Sequence, residues 1–176
     1  MSLYSHTRKK TKIVWFASIL CALVGLSCTA ITGDRFWREL TDGDTASTKG
    51  DYTGAEKHYR NALASADNDS NRATALHYLG VSLLSQDKLN DAEGTFKTEV
   101  ETAERAYGSA HPRLFDALSD ITLLYIRQRR WADAERYNQR ALLIARNVSR
   151  EENKAGVELT ETLRDVVRDK QQPPPK

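Results

Sequence analysis

The chain carries a pattern of alanines and aromatic rings that recurs three times along its length. Each copy follows a short polar turn and begins with an alanine, and a bulky ring comes three or four residues later. The alanines are Ala55, Ala92 and Ala134, and the rings are Tyr59, Phe96 and Tyr137. Their spacing of 37 and then 42 residues is typical of helical hairpins, each of which buries its apolar face only by stacking on a neighbour. The pattern predicts an all-α stack of hairpins.

The rest of the chain after Gly33 also has helical periodicity, with no alternating apolar stretch long enough for a strand. Asp69 or Ser70 is the expected N-cap of the third helix. The predicted helices span about 35–48, 52–66, 71–86, 89–107, 112–128, 131–147 and 150–170. The last one is highly charged and is expected to cover the open end of the stack. Residues 171–176 contain three prolines and are expected to be a frayed tail.

These units resemble the tetratricopeptide repeat (TPR), a family of helical hairpins that bind proteins and peptides. The second unit shows the family pattern of Leu-Gly in the first helix and small and aromatic residues in the second. The matching residues are Leu79, Gly80, Leu83, Ala92 and Phe96 in this unit, Gly50, Tyr52, Ala55, Tyr59 and Ala62 in the first, and Tyr125, Trp131, Ala134 and Ala141 in the third. The linker from Tyr107 to Pro112 is similar to that of kinesin light chain repeats. The resemblance implies a right-handed α-solenoid of three hairpins, over about 36–70, 71–110 and 112–148, with a capping helix over 149–170.

The sequence departs from the family pattern at three places. Gly43 follows Asp42 where a Leu-Gly pair is usual, Glu99 replaces the last small residue of the second unit, and Asn138 moves the third ring to Tyr137. The family's carboxylate clamp needs Lys, Arg and Asn on the inner face, and of these only Arg127 is expected there. The partner groove is instead predicted at His77, Val81, Leu84, Leu123, Ile126 and Arg127. Such a groove would be apolar and would favour an apolar or helical segment over a charged tail.

An apolar leader precedes the repeats. Residues 13–31 carry no charge and follow the cations Arg8, Lys9, Lys10 and Lys12, which is the layout of an export signal. Three fates remain open: lipidation of Cys28 in a lipobox-like Gly-Leu-Ser-Cys sequence, retention as a transmembrane anchor, or cleavage after Ala30. We therefore treat 1–33 as a signal peptide or membrane anchor. In each case the repeats would lie outside the cytoplasm, in the periplasm or at the cell surface.

The composition argues against several other classes of function. Beyond the leader, 22 Lys and Arg balance 24 Asp and Glu, so there is no basic face for nucleic acid. Both cysteines, Cys21 and Cys28, lie in the leader, which leaves no thiol chemistry in the body. The histidines show no metal-ligand spacing, and no catalytic or phosphate-binding motif occurs. His77 is interpreted as a partly buried surface residue and His111 as a turn residue, and no catalytic, metal or cofactor site is predicted.

The leading prediction is a membrane-anchored, extracytoplasmic TPR adaptor that is not an enzyme and that binds a partner protein in its concave groove. The alternative is a structural or assembly subunit of a bacterial envelope or membrane complex, which would use the convex face and the last helix. The partner and the pathway are not specified by the sequence.

Overall fold

The computed structural model describes residues 35–147 and 154–171. The predicted leader, most of the predicted tail and the link before the last helix lie outside these residues. The described part contains a first helix, α1, over residues 35–48, followed by α2 (Tyr52–Ser65), α3 (Asp69–Ser85), α4 (Leu89–Tyr107), α5 (Pro112–Arg127), α6 (Trp131–Asn147) and α7 (Lys154–Gln171). No strand occurs in it. The prediction of an all-helical fold is confirmed for these residues.

The helices form three hairpins, α1–α2, α3–α4 and α5–α6, with α7 packed against α6. The repeat alanine of each second helix is fully buried; these residues are Ala55, Ala92 and Ala134. A methyl group at these positions lets two helix backbones approach closely. The rings of Phe36, Phe96 and Tyr125 fill the core between the hairpins. Among the described helices, none is long and apolar enough to cross a membrane.

The turn inside each hairpin uses the same backbone geometry. Gly50, Asp87 and Arg129 all adopt positive φ, at 77°, 61° and 60°. The following amide then donates to a carbonyl five residues back, as from Lys88 to Leu83 at 3.0 Å. This is the Schellman arrangement that ends a helix and satisfies its last carbonyls. Only the first turn has a glycine at this position. The sequences of the other two turns therefore do not indicate the shared geometry.

The start of α3 differs from the prediction. Asn68 is the N-cap, because its side-chain oxygen accepts from the amide of Asn71 at 2.8 Å. Asp69 and Ser70 are therefore inside the helix, and the expectation that one of them caps it is wrong. At α5, His111 caps the helix, with Nδ1 accepting from the amide of Arg113 at 3.1 Å, and Pro112 occupies the first turn. His111 is thus a turn residue, as its place before a proline indicates.

The last helix closes the stack through buried contacts. Val167 and Leu163 of α7 are buried. Asn138 of α6 donates from Nδ2 to the carbonyl of Thr160 at 2.8 Å, and both residues are buried. A hydrogen bond in such a place fixes the position of one helix against the next, because an unpaired amide there would be costly. The helix therefore covers the α6 side of the stack.

Candidate functional site

A cavity of about 710 Å³ opens between the first helices of the hairpins. Its lining residues come from α1, α3, α4, α5 and α7. The apolar lining consists mainly of Trp37, Leu40, Tyr78, Phe115, Leu123 and Leu159, and the charged lining consists of Asp44, His77, Glu99, Arg113, Asp116 and Asp120. The predicted groove was apolar. This cavity has an apolar lining together with polar side chains that converge from α3, α4 and α5.

The centre of the polar group is His77. Its Nδ1 lies 2.7 Å from Oδ2 of Asp120 and 3.6 Å from Oε1 of Glu99. Hydrogen bonds to Asp120 and to Glu99 raise the pKa of His77 to about 10, although its partial burial acts in the opposite direction. The imidazole is therefore protonated at neutral pH and is paired with Asp120.

Glu99 is the most deeply buried member of the group. The residue is 4% exposed, and Oε2 has no hydrogen-bond partner. Burial raises the pKa of Glu99 to about 7, opposed by the hydrogen bond to His77 and aided by the nearby Asp120. In the other two hairpins the corresponding position holds Ala62 and Ala141, both fully buried. An acid has thus replaced a core methyl group in one repeat only.

Asp116 lies one turn before Asp120 on α5 and also lines the cavity. Burial raises its pKa, Arg113 lowers it and Asp120 raises it. Arg113 is the arginine of the lining and stands on the same helix. The cavity therefore has an excess of carboxylates over cations.

The apolar lining is unusually open to solvent. Trp37 is 58% exposed, and Leu123 and Leu159 are each 41% exposed. They belong to α1, α5 and α7, and all three line the cavity. Exposed large apolar side chains that share one concave surface are typical of a binding site.

Two of the six predicted groove residues, His77 and Leu123, line this cavity. The other four do not. Leu84 and Ile126 are half-buried and pack against the core, and Val81 is 38% exposed on α3. Arg127 donates to the carbonyl of Leu84 at 3.0 Å and pairs with Asp87 at 3.0 Å. These contacts join the ends of α3 and α5.

Glu99, Asp116 and Asp120 were not predicted as site residues. No spacing rule could group them with His77, because the four come from three helices. One signal was present, namely the glutamate at a position where the neighbouring repeats have alanine. The sequence shows that Glu99 departs from the repeat pattern. It does not show that the side chain lines the cavity, because that depends on the fold. Cys28, the predicted lipidation site, lies outside the described residues.

Comparison with known proteins agrees with this geometry. Residues 71–147, which cover the second and third hairpins, match the family model described as Tetratricopeptide repeat. This segment of the chain is similar to tetratricopeptide repeats. The TPR assignment made from the alanine and ring pattern is therefore confirmed for α3 to α6. No curated protein matches the chain.

Two solved structures have the same TPR-like arrangement of helices. The TPR2B-domain:pHsp70-complex of yeast Sti1 superposes with a TM-score of 0.65 at 16% identity, over 78% of this chain and 98% of that chain. The crystal structure of BtubC (BKLC) from P. vanneervenii gives a TM-score of 0.58 at 18% identity, over 76% of this chain and 64% of that chain. At such identities the similarity shows the fold. Since these matches exceed the 71–147 region, the helical stack extends beyond the two hairpins of the family match. A TPR fold of this kind indicates a scaffold for protein–protein interaction.

Proposed function

We propose that this protein is a membrane-anchored adaptor that lies outside the cytoplasm and binds a segment of a partner protein in the cavity between α1, α3, α5 and α7. The basic and apolar leader supports the membrane anchor and the location. The TPR fold supports a peptide as the ligand, and the Sti1 domain, which is described as a complex with pHsp70, is a precedent in the same fold.

The exposed apolar lining is the observation that carries the proposal. Trp37, Leu123 and Leu159 present their side chains to one cavity from three different helices. When an apolar side chain of a partner covers a tryptophan and leucines in such a place, the burial stabilises the complex. The cavity volume of about 710 Å³ accommodates a few side chains of a segment, and a globular surface would not enter it.

The charge of the cavity narrows the partner further. Asp44, Asp116 and Asp120 line it, and Arg113 is the arginine that faces them. An acidic tail would meet repulsion from these carboxylates. The partner segment therefore has a bulky apolar side chain, and the residues next to it are neutral or basic.

A second candidate is the structural or assembly subunit, and it rests on a different surface. Leu143 of α6 is 64% exposed and Val166 of α7 is 40% exposed, and neither lines the cavity. A partner subunit packed against α6 and α7 would bury both.

A matched pair of variants separates the two functions. Leu123→Asp places a charge in the cavity, and Leu143→Asp places the same charge on the outer surface of α6. The adaptor function predicts that crosslinking in native membranes loses the partner in Leu123→Asp and keeps it in Leu143→Asp. The reverse result would assign the subunit function, and retention in both variants would contradict the use of either surface.

The anchor is tested separately. Cys28→Ser, combined with metabolic lipid labelling of the parent chain, distinguishes the fates of the leader. Label in the parent and its loss in the variant support lipidation. Membrane retention without label supports an uncleaved anchor, and a soluble product shortened at Ala30 would contradict anchoring.

A further inference from the structure

The cavity floor brings together three side chains that have the chemistry of metal ligands. His77 of α3, Glu99 of α4 and Asp120 of α5 each offer one ligand atom, and these atoms all lie within 4.8 Å of one another. We infer that these three residues bind a divalent transition-metal cation of the Zn²⁺ class. This site goes beyond the proposed partner binding and rests on different observations.

The unpartnered oxygen of Glu99 is the independent observation that points to a ligand. A carboxylate that is 4% exposed normally has hydrogen-bond partners for both oxygens, yet Oε2 has none. A buried oxygen of this kind is costly unless a donor or a cation satisfies it, and His77 lies beside the other oxygen, Oε1. The alanines in the corresponding places, Ala62 and Ala141, show that the repeat packs well without an acid.

The set of donors selects the kind of ion. One imidazole and two carboxylates suit Zn²⁺ and its neighbours in the first transition series, whereas Mg²⁺ and Ca²⁺ prefer sites made wholly of oxygen ligands. Three protein ligands leave a further coordination position, as in zinc sites that bind an exogenous ligand. All three residues line the cavity in which a partner segment would lie.

The charges around the three proposed ligands favour a cation. Asp116 on α5 and Asp44 on α1 also line the cavity, and Arg113 is the arginine among the lining residues. Because carboxylates outnumber cations in the lining, the local field favours a dication.

The test uses the full chain with Cys21→Ser and Cys28→Ser, so that the leader thiols cannot bind the probe. Zn²⁺ titration by calorimetry measures stoichiometry and affinity, and Co²⁺ absorption reports the ligand geometry. We expect one ion per chain. His77→Ala and Glu99→Gln should each weaken binding by about tenfold or more.

The matched control is His58→Ala. His58 Nδ1 pairs with Glu39 at 2.9 Å, and its side chain is 35% exposed, against 37% for His77. Neither His58 nor Glu39 lines the cavity, so this variant should bind Zn²⁺ like the parent. Melting curves in EDTA establish that the variants are folded, and Asp120→Asn replaces any variant that is not.

Two results would overturn the inference: a parent chain without a stoichiometric Zn²⁺ site, or equal affinity in the parent and in folded His77→Ala and Glu99→Gln. Neither result depends on a partner protein. Failure of the metal site and failure of the proposed adaptor function are therefore distinguishable.

Discussion

The ring of Phe96 occupies the space in which a side chain at Gly80 would stand. A Cβ built on Gly80 would overlap Cε1 of Phe96, and one built on Gly43 would lie 2.5 Å from Cε1 of Tyr59. Each of the first two hairpins thus has the same packing unit, in which an aromatic ring of the second helix lies against a glycine of the first. Gly43 belongs to such a unit although it follows an aspartate and departs from the family's Leu-Gly pair. In the third hairpin the same two positions hold Thr122 and Asn138, so a larger residue on the first helix accompanies the loss of the ring on the second.

Gly80→Ala should therefore destabilise the protein by about 1–3 kcal/mol, since the buried Phe96 ring cannot move aside without shifting its neighbours. Gly94→Ala is the matched control, because nothing lies within 4 Å of the added Cβ there. In an exposed helix that substitution should stabilise by up to about 1 kcal/mol. Urea unfolding of both variants measures the difference, and equal midpoints would contradict the packing unit.

Asn138 holds the last helix, so Asn138→Ala should loosen α7 while α3 and α4 stay folded. The variant leaves a cavity and removes the donor to the Thr160 carbonyl at 2.8 Å, for a loss of about 1–3 kcal/mol. Hydrogen exchange should rise in Lys154–Gln171. Gln139→Ala, at an exposed neighbouring site, is the control. Unchanged exchange in α7 would show that apolar contacts alone hold the helix.

Glu93 joins the second hairpin to the third, and Glu93→Gln should weaken that junction. Burial acts to raise the pKa of Glu93, but donors from Lys97, Arg130 and Tyr125 lower it to about 2. Because the folded pKa is below the unfolded one, this stabilisation is present above about pH 4.5 and is lost as pH falls towards 2. We expect a loss of about 1–2 kcal/mol at neutral pH after solvent screening of the exposed cations.

The measurement is unfolding as a function of pH. The difference between Glu93→Gln and the parent should shrink below pH 4.5. Glu101→Gln, an exposed position on the same helix, is the control. A constant difference at every pH would assign the effect of Glu93→Gln to packing.

Glu99→Gln should have the opposite pH dependence. Burial raises the pKa of Glu99 to about 7, so the folded state binds more protons than the unfolded state between about pH 4.5 and 7. The parent therefore loses stability as pH rises through this window, and the neutral amide should reduce that slope. Thermal melts in EDTA from pH 5 to 8 measure it, and parallel slopes in the two proteins would show that Glu99 stays charged.

The helices could be predicted from sequence because their signals are local. The apolar periodicity places α4 at Leu89–Tyr107 and α6 at Trp131–Asn147, as expected. The cap of α3 at Asn68 was less predictable, since Asp69 and Ser70 are equally good capping residues and the choice depends on backbone geometry. Gly43 illustrates the same limit: its role is visible only when Tyr59 is placed against it.

The candidate site was harder to predict from the sequence, because its residues are far apart in the chain. His77 and Leu123 were predicted to share a groove, and both line the cavity. The carboxylates that give the cavity its chemistry lie far from His77 in the chain. Only the stacking of α3, α4 and α5 brings Asp120 to 2.7 Å and Glu99 to 3.6 Å from His77 Nδ1. The leader, by contrast, is a sequence signal whose structural counterpart lies outside the described residues, and its role remains a prediction.

The cavity takes Trp37 from the first described helix and Leu159 from the last. Repeat stacks of this kind open by fraying from their ends, because each terminal unit has a neighbour on one side only. An occupant that contacts both residues would connect the two ends of the stack. Its binding should therefore protect both terminal helices from proteases. A chain shortened at either end would lose one wall of the cavity.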